Sequence, residues 1–418
     1  MEYKIHEVSK KLDVPRSTVR YWESEFTDLI KPVRTSGGQR RYTDKDIKNF
    51  LKIKDLIRKK NQSIRQTKQM LSKSSSGRES IDLTNKCILV TGGTGSFGKH
   101  FCRTILEKHN PRVIRVYSRD ELKQDDMRRE FGEEKLRYFI GDVRDRDRMR
   151  RAMEGVDIVV HAAALKQVPA CEYNPLEAVK TNIIGAQNII DAAIDAGVKK
   201  VMALSTDKAV NPVNLYGATK LCAEKIFIQG NSYTGERGTC FSCVRYGNVI
   251  GSRGSVIPLF QKQARSGKVT VTDSRMTRFW ITLDKAVELV VNGLTHMQGG
   301  EIFVPIIPSM KVVDLAKAVA PGCKVEIIGI RPGEKLHESM ITEEDGRNTI
   351  AYKGMYVVMP ALSWWEKGDY SAGEAVLEGF TYSSNNNTQW LTENDLKKII
   401  KGELSEPVSQ APATLNAG

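Results

Sequence analysis

Short apolar runs separated by helix-forming stretches recur along the chain after residue 86. They lie at residues 87–90, 112–117, 139–143, 157–164 and 198–204. Apolar runs of this length that end in glycine or small polar residues are typical of buried parallel strands. Because strands alternate with helices, the pattern predicts an α/β fold with a doubly wound, Rossmann-type parallel sheet. The sequence after this portion predicts a smaller substrate-binding subdomain.

The first 72 residues have a different, helical pattern. Ile5, Val8 and Leu12 are spaced for one apolar helix face, and a second helix opens at Ser17 after a proline-containing break. Two short helices about a tight turn predict a small helix-turn-helix domain, whose second helix can enter a DNA major groove. An arginine-rich hairpin around Gly37-Gly38 follows and predicts a wing.

Basic residues concentrate in the same part of the chain. Residues 1–80 hold 20 Lys and Arg against 10 Asp and Glu, whereas the rest hold 44 against 40, within a net charge of +14. Nucleic acid is the natural partner of such a basic domain. The alternative is a basic module that binds a protein or oligomerises the chain.

Cysteine usage and hydropathy indicate the setting of the protein. The seven cysteines are scattered, and Cys240 and Cys243 lie in a predicted strand without a second Cys or His pair. We therefore expect buried thiols, no metal site and a reduced, cytoplasmic environment. No apolar run approaches the ~20 residues that span a bilayer, and the chain does not open on a signal-peptide pattern, so we expect no membrane contact.

Changes in composition predict five segments. They are a helix-turn-helix domain at 1–72, a polar linker at 73–80, a nucleotide-binding and substrate domain at 81–350, a C-terminal extension at 351–402 and a disordered tail at 403–418.

A glycine-rich turn follows the first strand of the predicted sheet. Gly93, Gly95 and Gly98 satisfy G-x-G-x-x-G between a strand and a helix. Glycines there let the backbone turn and approach a pyrophosphate on the helix N-terminus. The predicted loop contacts are Gly92, Gly93, Thr94, Gly95, Ser96, Phe97 and Gly98.

The end of the second predicted strand indicates which dinucleotide binds. Ser118 and Arg119 precede Asp120 there, and a serine and an arginine suit a 2′-phosphate, so NADP is favoured. NAD is the alternative, because Asp120 can bind a ribose hydroxyl. Further predicted cofactor contacts are Glu121, Leu122, Lys123, Asp142, Val143, Ala162, Ala163, Lys166, Leu204, Ser205, Tyr216 and Lys220.

Residues 205–220 carry the candidate chemistry. Tyr216 and Lys220 are four positions apart at the start of a helical run, so both side chains share one face and the ammonium favours the phenolate. Asp207 and Lys208 stand at the end of the preceding strand, where open α/β sheets place their chemistry. The segment therefore offers a base, a carboxylic acid and an amine.

These motifs resemble two nested families. Gly93-x-Gly95-x-x-Gly98, the alanines at 162–164 and Tyr216-x-x-x-Lys220 resemble the extended short-chain dehydrogenase/reductase superfamily. Over roughly residues 81–400 the chain further resembles the inverting UDP-N-acetylglucosamine 4,6-dehydratases. That resemblance is carried by residues 206–208, 214–220, 244–249, 275–280 and 331–335. A related membrane-bound, retaining class has a methionine where Tyr216 stands, so the resemblance is to the soluble inverting class.

The resemblance implies a reaction in which water leaves UDP-N-acetylglucosamine while a tightly bound NADP is used and regenerated. Tyr216, with a pKa lowered by Lys220, would take the 4-hydroxyl proton. Lys208 would take the C5 proton as a neutral amine whose pKa is depressed by burial. Asp207 would protonate the departing 6-hydroxyl, and Thr206 would hydrogen-bond the sugar. The product would be a C5-inverted 4-keto sugar that feeds pseudaminic-type sugar synthesis.

Contacts to the nucleotide sugar are also implied. Arg331 offers a guanidinium for diphosphate and Glu334 a carboxylate for ribose hydroxyls, although surface ion pairing is the alternative for Arg278 and Arg331. The predicted substrate contacts are Lys166, Asn248, Val249, Arg253, Arg278, Arg331 and Glu334. We also expect a homo-oligomer.

The first 72 residues resemble the MerR-type winged helix-turn-helix domain through residues 18–23, the Gly37-Gly38 wing and Ser63-Ile64. The long dimerisation helix and effector module usual in that family are missing, which argues against metal- or drug-sensing regulation. The resemblance implies contacts to duplex DNA, mostly at phosphates, by Arg16, Ser17, Arg20, Tyr21, Arg34, Arg40 and Arg41.

Two other functions stay open. A 4-epimerase of the same fold would return hydride to C4 and would not need Asp207 and Lys208. A transcription regulator could use the second domain as a sensor of NADP(H) or a sugar nucleotide. The presence of Tyr216, Lys220, Asp207 and Lys208 argues against a sensor without activity.

Overall fold

The computed structural model describes residues 2–26, 30, 32–34, 39–54, 81–252, 254–361, 365 and 370–402. The chain divides into two compact units, residues 1–80 and 81–418. The predicted linker at 73–80 and tail at 403–418 lie outside the described residues. The wing glycines Gly37 and Gly38, the Ser63-Ile64 pair and the predicted substrate contact Arg253 also lie outside them.

The first unit combines helices with a small antiparallel sheet. Its described helices are α1 (Ile5–Leu12), α2 (Arg16–Glu25) and α3 (Asp44–Lys54). Its strands β1 (Glu2–Tyr3), β2 (Val33–Arg34) and β3 (Arg40–Thr43) pair in the order β1-β3-β2. Asp13 ends α1 with φ 47°, which turns the chain into α2. The buried core of this unit includes Val8, Leu12, Val19, Trp22 and Phe50.

The second unit contains the remaining strands. In chain order they are β4 (Cys87–Thr91), β5 (Val113–Ser118), β6 (Leu136–Ile140), β7 (Ile158–His161), β8 (Lys200–Leu204), β9 (Cys240–Val244), β10 (Asn248–Val249), β11 (Lys268–Val271), β12 (Thr277–Ile281), β13 (Ile302–Pro305), β14 (Ser309–Lys311), β15 (Lys324–Ile327), β16 (Ser339–Ile341), β17 (Thr349–Tyr352), β18 (Met355–Val358), β19 (Glu374–Ala375) and β20 (Tyr382–Ser383).

Helices connect these strands. They are α4 (Ser96–Lys108), α5 (Glu121–Phe131), α6 (Arg146–Met153), α7 (Val168–Tyr173), α8 (Pro175–Val179), α9 (Gly185–Ala196), α10 (Leu215–Gly230), α11 (Val256–Ala264), α12 (Leu283–His296), α13 (Val312–Val319), α14 (Glu343–Gly346) and α15 (Glu393–Ile400). A π-helical turn, Lys180–Ile184, joins α8 to α9, and a 3₁₀ turn, Asp207–Ala209, follows β8.

Ten strands form the main sheet, in the order β19-β17-β18-β13-β9-β8-β7-β4-β5-β6. The strands from β13 to β6 are parallel, because helices carry the chain back between them. Apolar side chains cover both faces of the sheet, which explains why β4 is buried at all five positions. The predicted Rossmann-type α/β fold class is confirmed.

An antiparallel edge that the sequence analysis did not predict completes this sheet. β17 pairs with β18 and β19, and β18 pairs with β13. The predicted boundary between residues 350 and 351 therefore falls inside β17. Residues 349–358 continue the main sheet instead of opening a separate extension.

The smaller subdomain is built on short sheets beside the main one. Its strands pair as β10-β12-β14, β11-β15 and β16-β20. A separate buried cluster, which includes Phe260, Trp280, Met310 and Leu315, joins α11 and α13 to these strands. The segment before β16 brings side chains of this subdomain close to the end of β8.

Candidate active site

The polar residues singled out from the sequence gather at the carboxyl ends of the parallel strands. β4 ends at the glycine-rich turn, β5 at Ser118, and β8 at Leu204, directly before the 205–208 segment. β4, β5, β7, β8 and β9 run parallel as neighbours, so their carboxyl ends share one edge of the sheet. Open α/β sheets bind ligands at this edge.

The glycine-rich turn has no room for a side chain at Gly92 or Gly98. Gly92 has φ +66°, and a Cβ there would lie 2.9 Å from the backbone of Ala162 and Ala163. A Cβ on Gly98 would lie 2.5 Å from Gly93 Cα, so only glycine lets α4 start this close to β4. The turn leaves the N-terminus of α4 open to a phosphate, which fits a dinucleotide.

The residues after β5 make different contacts. Ser118 is buried, and its hydroxyl accepts a hydrogen bond of 2.9 Å from Gln124. Asp120 caps α5 by accepting from the Lys123 backbone N–H at 3.0 Å, and its carboxylate also pairs with the Lys123 amine. The half-exposed Arg119 lies 3.7 Å from Asp142. Asp120 thus caps its own helix, and Arg119 is the more exposed of the two side chains.

Tyr216 and Lys220 share the buried face of α10. Asn214 starts this helix by accepting from the Gly217 backbone N–H. Lys220 donates a 2.7 Å hydrogen bond to the carbonyl of Leu204 at the end of β8. Burial raises the pKa of Tyr216 to about 12, opposed by the charge of Lys208 and a hydrogen bond with Thr206. The nearby charge that opposes burial most is therefore that of Lys208, and the effect of Lys220 on the phenolate stays a prediction.

Asp207 and Lys208 form a buried pair directly after β8. Lys208 Nζ donates to Asp207 Oδ1 at 2.9 Å, and Thr206 Oγ1 donates to the same oxygen at 3.0 Å. Asp207 is fully buried. Its second oxygen, Oδ2, has no hydrogen-bond partner within the described part of the chain. Burial raises the pKa of Asp207, and the Lys208 charge only partly opposes this.

The predicted depression of the Lys208 pKa is wrong. Burial does disfavour the ammonium, but the carboxylates of Asp207 and Glu338 outweigh burial and raise the pKa of Lys208. The two carboxylates therefore favour the ammonium form of Lys208. A neutral amine arises only when the proton moves from Lys208 to Asp207 across their hydrogen bond.

Glu338 is a site residue that the sequence analysis missed. It stands immediately before β16, it is 3% exposed, and its Oε1 lies 3.5 Å from Lys208 Nζ. Lys335 and Arg278 also approach its carboxylate, at 3.4 and 3.9 Å. Its position three residues after Lys335, at the start of an apolar strand, was the available signal.

The predicted substrate contacts lie in several places around this cluster. Asn248 accepts a 3.3 Å hydrogen bond from Lys208 Nζ, and Val249 follows in β10. Lys166 follows β7, and burial together with the Lys208 charge lowers its pKa. Arg331 is half-exposed, 3.9 Å from Glu334.

Arg278 is a buried residue, and its contact with the substrate stays a prediction. Its guanidinium is buried and donates to the backbone carbonyls of Thr277, Leu336 and Lys335 at 2.7, 3.2 and 2.9 Å. Surface ion pairing, the alternative considered for this residue, is wrong. Through these hydrogen bonds Arg278 fixes the backbone segment that carries Glu338.

A buried ion network fixes the elements that carry the site. Arg245, directly after β9, forms a bidentate pair with Glu224 of α10, with its shortest contact at 2.8 Å. The same guanidinium binds Asp345 of α14 at 2.8 Å. Arg245 and Glu224 are both about 2% exposed. The network therefore holds the helix of Tyr216 against β9 and the smaller subdomain.

In the first unit, four of the predicted DNA contacts lie on the exposed side of α2. Arg16, Ser17, Arg20 and Tyr21 are exposed, while Val19 and Trp22 on the opposite side are buried. Arg40 and Arg41 lie in β3, and the side chain of Arg34 lies outside those described. Glu23 accepts from Arg40 at 2.7 Å and from Tyr42 at 2.6 Å, which ties β3 to α2.

Among the helices of the described residues, none combines the length and apolarity that a membrane span needs.

The sheet, the glycine-rich turn and the Tyr216–Lys220 pair together define an extended short-chain dehydrogenase/reductase. Residues 88–360 match the family of polysaccharide biosynthesis proteins, and residues 3–74 match the MerR helix-turn-helix family of regulatory proteins.

Individual relatives agree with this class. An inverting UDP-N-acetylglucosamine 4,6-dehydratase from Campylobacter jejuni is 53% identical over 75% of this chain and 97% of its own length. A UDP-glucose 4-epimerase from Rickettsia akari is 41% identical over 76% of this chain and 95% of its own. The crystal structure of Pen from Bacillus thuringiensis is 39% identical, with a TM-score of 0.72 over 77% of this chain and 99% of Pen. The chain therefore belongs to the polysaccharide biosynthesis protein family and, within it, to the inverting 4,6-dehydratases, which are lyases.

Proposed function

We propose that this enzyme converts UDP-N-acetylglucosamine into UDP-2-acetamido-2,6-dideoxy-β-L-arabino-hex-4-ulose. The observation that carries the proposal is the buried Asp207–Lys208 pair, linked through Thr206 to Tyr216. An acid and an amine side by side can remove water across two neighbouring carbons. A tyrosine next to them can start the reaction by taking the proton of a hydroxyl.

NADP is the proposed cofactor. The glycine-rich turn would hold its diphosphate, and Arg119 with Ser118 would bind the 2′-phosphate, since Asp120 is already engaged by α5 and Lys123. Tyr216 and Lys220 would lie beside the nicotinamide end. When bound, the dinucleotide would supply a reversible hydride acceptor for the sugar.

Tyr216 would take the proton of the 4-hydroxyl. Its raised pKa means that the phenolate is a strong base once formed, and Lys208 and Thr206 favour its formation. The 4-ketone then makes the C5 proton acidic. Lys208, as a neutral amine, would take that proton, while Asp207 gives its own proton to the departing 6-hydroxyl.

Proton transfer within the pair prepares this step. Moving one proton across the 2.9 Å hydrogen bond turns the ion pair into a carboxylic acid and a neutral amine, the form that elimination needs. A bound sugar would exclude water from the pair, and a drier surrounding favours the neutral form over two separate charges. Inversion at C5 then needs a second proton source on the opposite face, a role that we assign to Tyr216.

A 4-epimerase is the second candidate, and the 41% identity of the Rickettsia akari protein favours it. Epimerisation returns the hydride to C4 and leaves the 6-hydroxyl in place, so it has no use for Asp207. The two candidates therefore differ in whether water is lost.

Incubation of the purified protein with UDP-N-acetylglucosamine tests this choice. We expect a product lighter by one water in the mass spectrum, with a 6-methyl signal in its NMR spectrum. Asp207→Asn should slow its formation by about 10²–10⁴-fold. The exposed Asp195→Asn is the matched control, and it should keep the wild-type rate. Formation of UDP-N-acetylgalactosamine without loss of water would make the protein an epimerase.

For the first unit we propose binding of duplex DNA through the exposed side of α2, with Arg40 and Arg41 of β3. The net charge of residues 1–80 and the match to the MerR family support this role. For the enzyme's product we propose a route to pseudaminic-type sugars. We further propose that the protein acts as a homo-oligomer in the cytoplasm.

A further inference from the structure

Glu338 is a buried carboxylate to which the mechanism so far gives no part. Its backbone is fixed on both sides by Ser384, whose N–H donates to the Glu338 carbonyl at 2.7 Å and whose hydroxyl accepts from the Glu338 N–H at 3.0 Å. The side chain is 3% exposed and reaches to 3.5 Å from Lys208 Nζ. The smaller subdomain thus delivers a second carboxylate to the Asp207–Lys208 pair.

The two other cations near Glu338 have anchors of their own. Arg278 is held by three backbone carbonyls, and Lys335 Nζ donates to the carbonyl of Val210 at 2.5 Å. Lys208 is different, because its remaining contacts are Asp207 and Asn248, both in the site. A buried carboxylate is costly unless paired charges compensate it, so this arrangement keeps Glu338 ionised and fixed beside Lys208.

We propose that Glu338 is a positioning residue for the elimination, holding the Lys208 amine at C5 of the sugar and stabilising the ammonium formed there. The inference rests on the dehydratase function proposed above. It concerns a residue outside the Thr206–Lys208 and Tyr216–Lys220 motifs.

The proton balance of the elimination explains the benefit. The C5–H bond breaks and its proton goes to Lys208 Nζ. The C6–O bond breaks and the Asp207 proton leaves with the hydroxyl as water. A neutral acid and a neutral amine therefore become a carboxylate and an ammonium. In the complex with the sugar, where the proposed starting form is the neutral pair, a carboxylate fixed 3.5 Å from Nζ attracts this positive charge as it develops. It therefore favours the transition state over the neutral pair.

Glu338→Gln tests the proposal, with Glu344→Gln on the exposed side of α14 as a control that removes the same charge. We expect kcat to fall about 10- to 100-fold in Glu338→Gln. An opposite charge at this distance changes the pKa of a group such as the Lys208 amine by about 1–3. C4 oxidation does not depend on Glu338. Reduced cofactor should therefore accumulate during turnover and be visible by its near-ultraviolet absorbance.

The pH profile separates this role from a structural one. Activity falls at high pH when the Asp207–Lys208 pair loses its shared proton. The Glu338 carboxylate strengthens the hold on that proton, so Glu338→Gln should lose activity at a pH about one unit lower than the wild type. Glu338→Asp, which keeps the charge at a longer distance, should show a smaller shift in the same direction. If Glu338→Gln does not fold, as judged by circular dichroism, Glu338→Asp alone decides.

Three results contradict the proposal in distinguishable ways. A Glu338 variant with wild-type kcat and pH profile, and no reduced cofactor in turnover, overturns the role of Glu338 and leaves the dehydratase function intact. A uniform loss of activity with an unchanged pH profile makes Glu338 merely structural. If the wild-type protein removes no water from UDP-N-acetylglucosamine, both proposals fall.

Discussion

At the scale of single residues, the site is governed by one proton shared between Asp207 and Lys208. Burial favours that proton on Asp207, whereas Asp207 and Glu338 as carboxylates favour it on Lys208. The residues around this pair are fixed, so a small change in charge decides whether Asp207 or Lys208 holds the proton. Substitution of either partner should therefore block one step and leave the others.

Lys208→Ala should separate oxidation from elimination. Without the amine, Asp207 keeps its proton because burial disfavours the carboxylate. Tyr216 can still begin oxidation at C4, although more slowly because the Lys208 charge that lowers its pKa is gone, but no base takes the C5 proton. Reduced cofactor should accumulate to about one equivalent per site, measured by near-ultraviolet absorbance, with product formation reduced by about 10²–10⁴-fold. Full turnover by this variant would remove Lys208 from the mechanism.

Arg119→Ala tests the choice of dinucleotide. Asp120 is engaged by α5 and Lys123, so Arg119 is the residue proposed to bind a 2′-phosphate. The variant should bind NADP about 10-fold or more weakly, by analogy with other charge-assisted contacts, while its affinity for NAD changes little. Titration of the apoprotein with both dinucleotides measures this. An equal loss of affinity for both would mean that Arg119 is not the phosphate anchor.

At the scale of secondary-structure elements, the Arg245 network decides whether α10 holds Tyr216 in register with β8. Arg245→Met should lower the free energy of unfolding by about 3–5 kcal/mol, because Glu224 would stay buried without its partner. Chemical denaturation measures the loss. Part of it should return in the Glu224→Gln/Arg245→Met double variant.

The matched control is Arg237→Met. Arg237 pairs with Asp195 on the surface, at 3.2 Å, so its loss should cost about 0–1 kcal/mol. Equal losses of unfolding free energy in Arg237→Met and Arg245→Met would show that the buried network adds no more stability than a surface ion pair.

The sequence predicts an element well when the residues that determine it lie close together in the chain. The strands β4, β5, β7 and β8 were predictable because each is a short apolar run before a polar end. The run predicted at 139–143 overlaps β6 only at residues 139 and 140, because this strand begins at Leu136 and includes the polar Arg137. The edge strands β17 to β19 were not predictable, because their partners are distant and β19 is two exposed residues long. Residues 180–184 also gave no signal for a π-helical turn, which depends on packing.

The same distinction applies to the site. Gly93, Gly98, Asp207, Lys208 and Tyr216 were found because local motifs carry them. Glu338 was missed because it reaches Lys208 from a segment about 130 positions later in the chain, and only the tertiary fold brings the two together. The predicted lowering of the Lys208 pKa was wrong for this reason, because the prediction considered burial and omitted the carboxylate of Glu338.

At the scale of the whole molecule, charge distinguishes the two units, and DNA binding is proposed only for the first. The basic residues in excess lie in the first unit, while the second is nearly balanced. The full-length protein should bind duplex DNA more weakly as salt rises, because phosphate contacts release counterions. Arg20→Ala should reduce the slope of log K against log salt by about 1, measured by fluorescence anisotropy, without changing the dehydratase rate.

Arg129→Ala is the control for this measurement, since it removes an equally exposed charge from the second unit. It should leave DNA binding unchanged. If the full-length protein does not bind DNA at low salt, the basic surface has another function.

The central claim is that Asp207, Lys208 and Tyr216 remove water and invert C5, and the product formed in heavy water tests it most directly. In the proposed mechanism, Lys208 on one face of the sugar and Tyr216 on the other would provide two proton sources for C5. We predict the L-arabino 4-keto product with one deuterium at C5 in its NMR spectrum. The D-xylo product, or a product that keeps its 6-hydroxyl, would contradict the account.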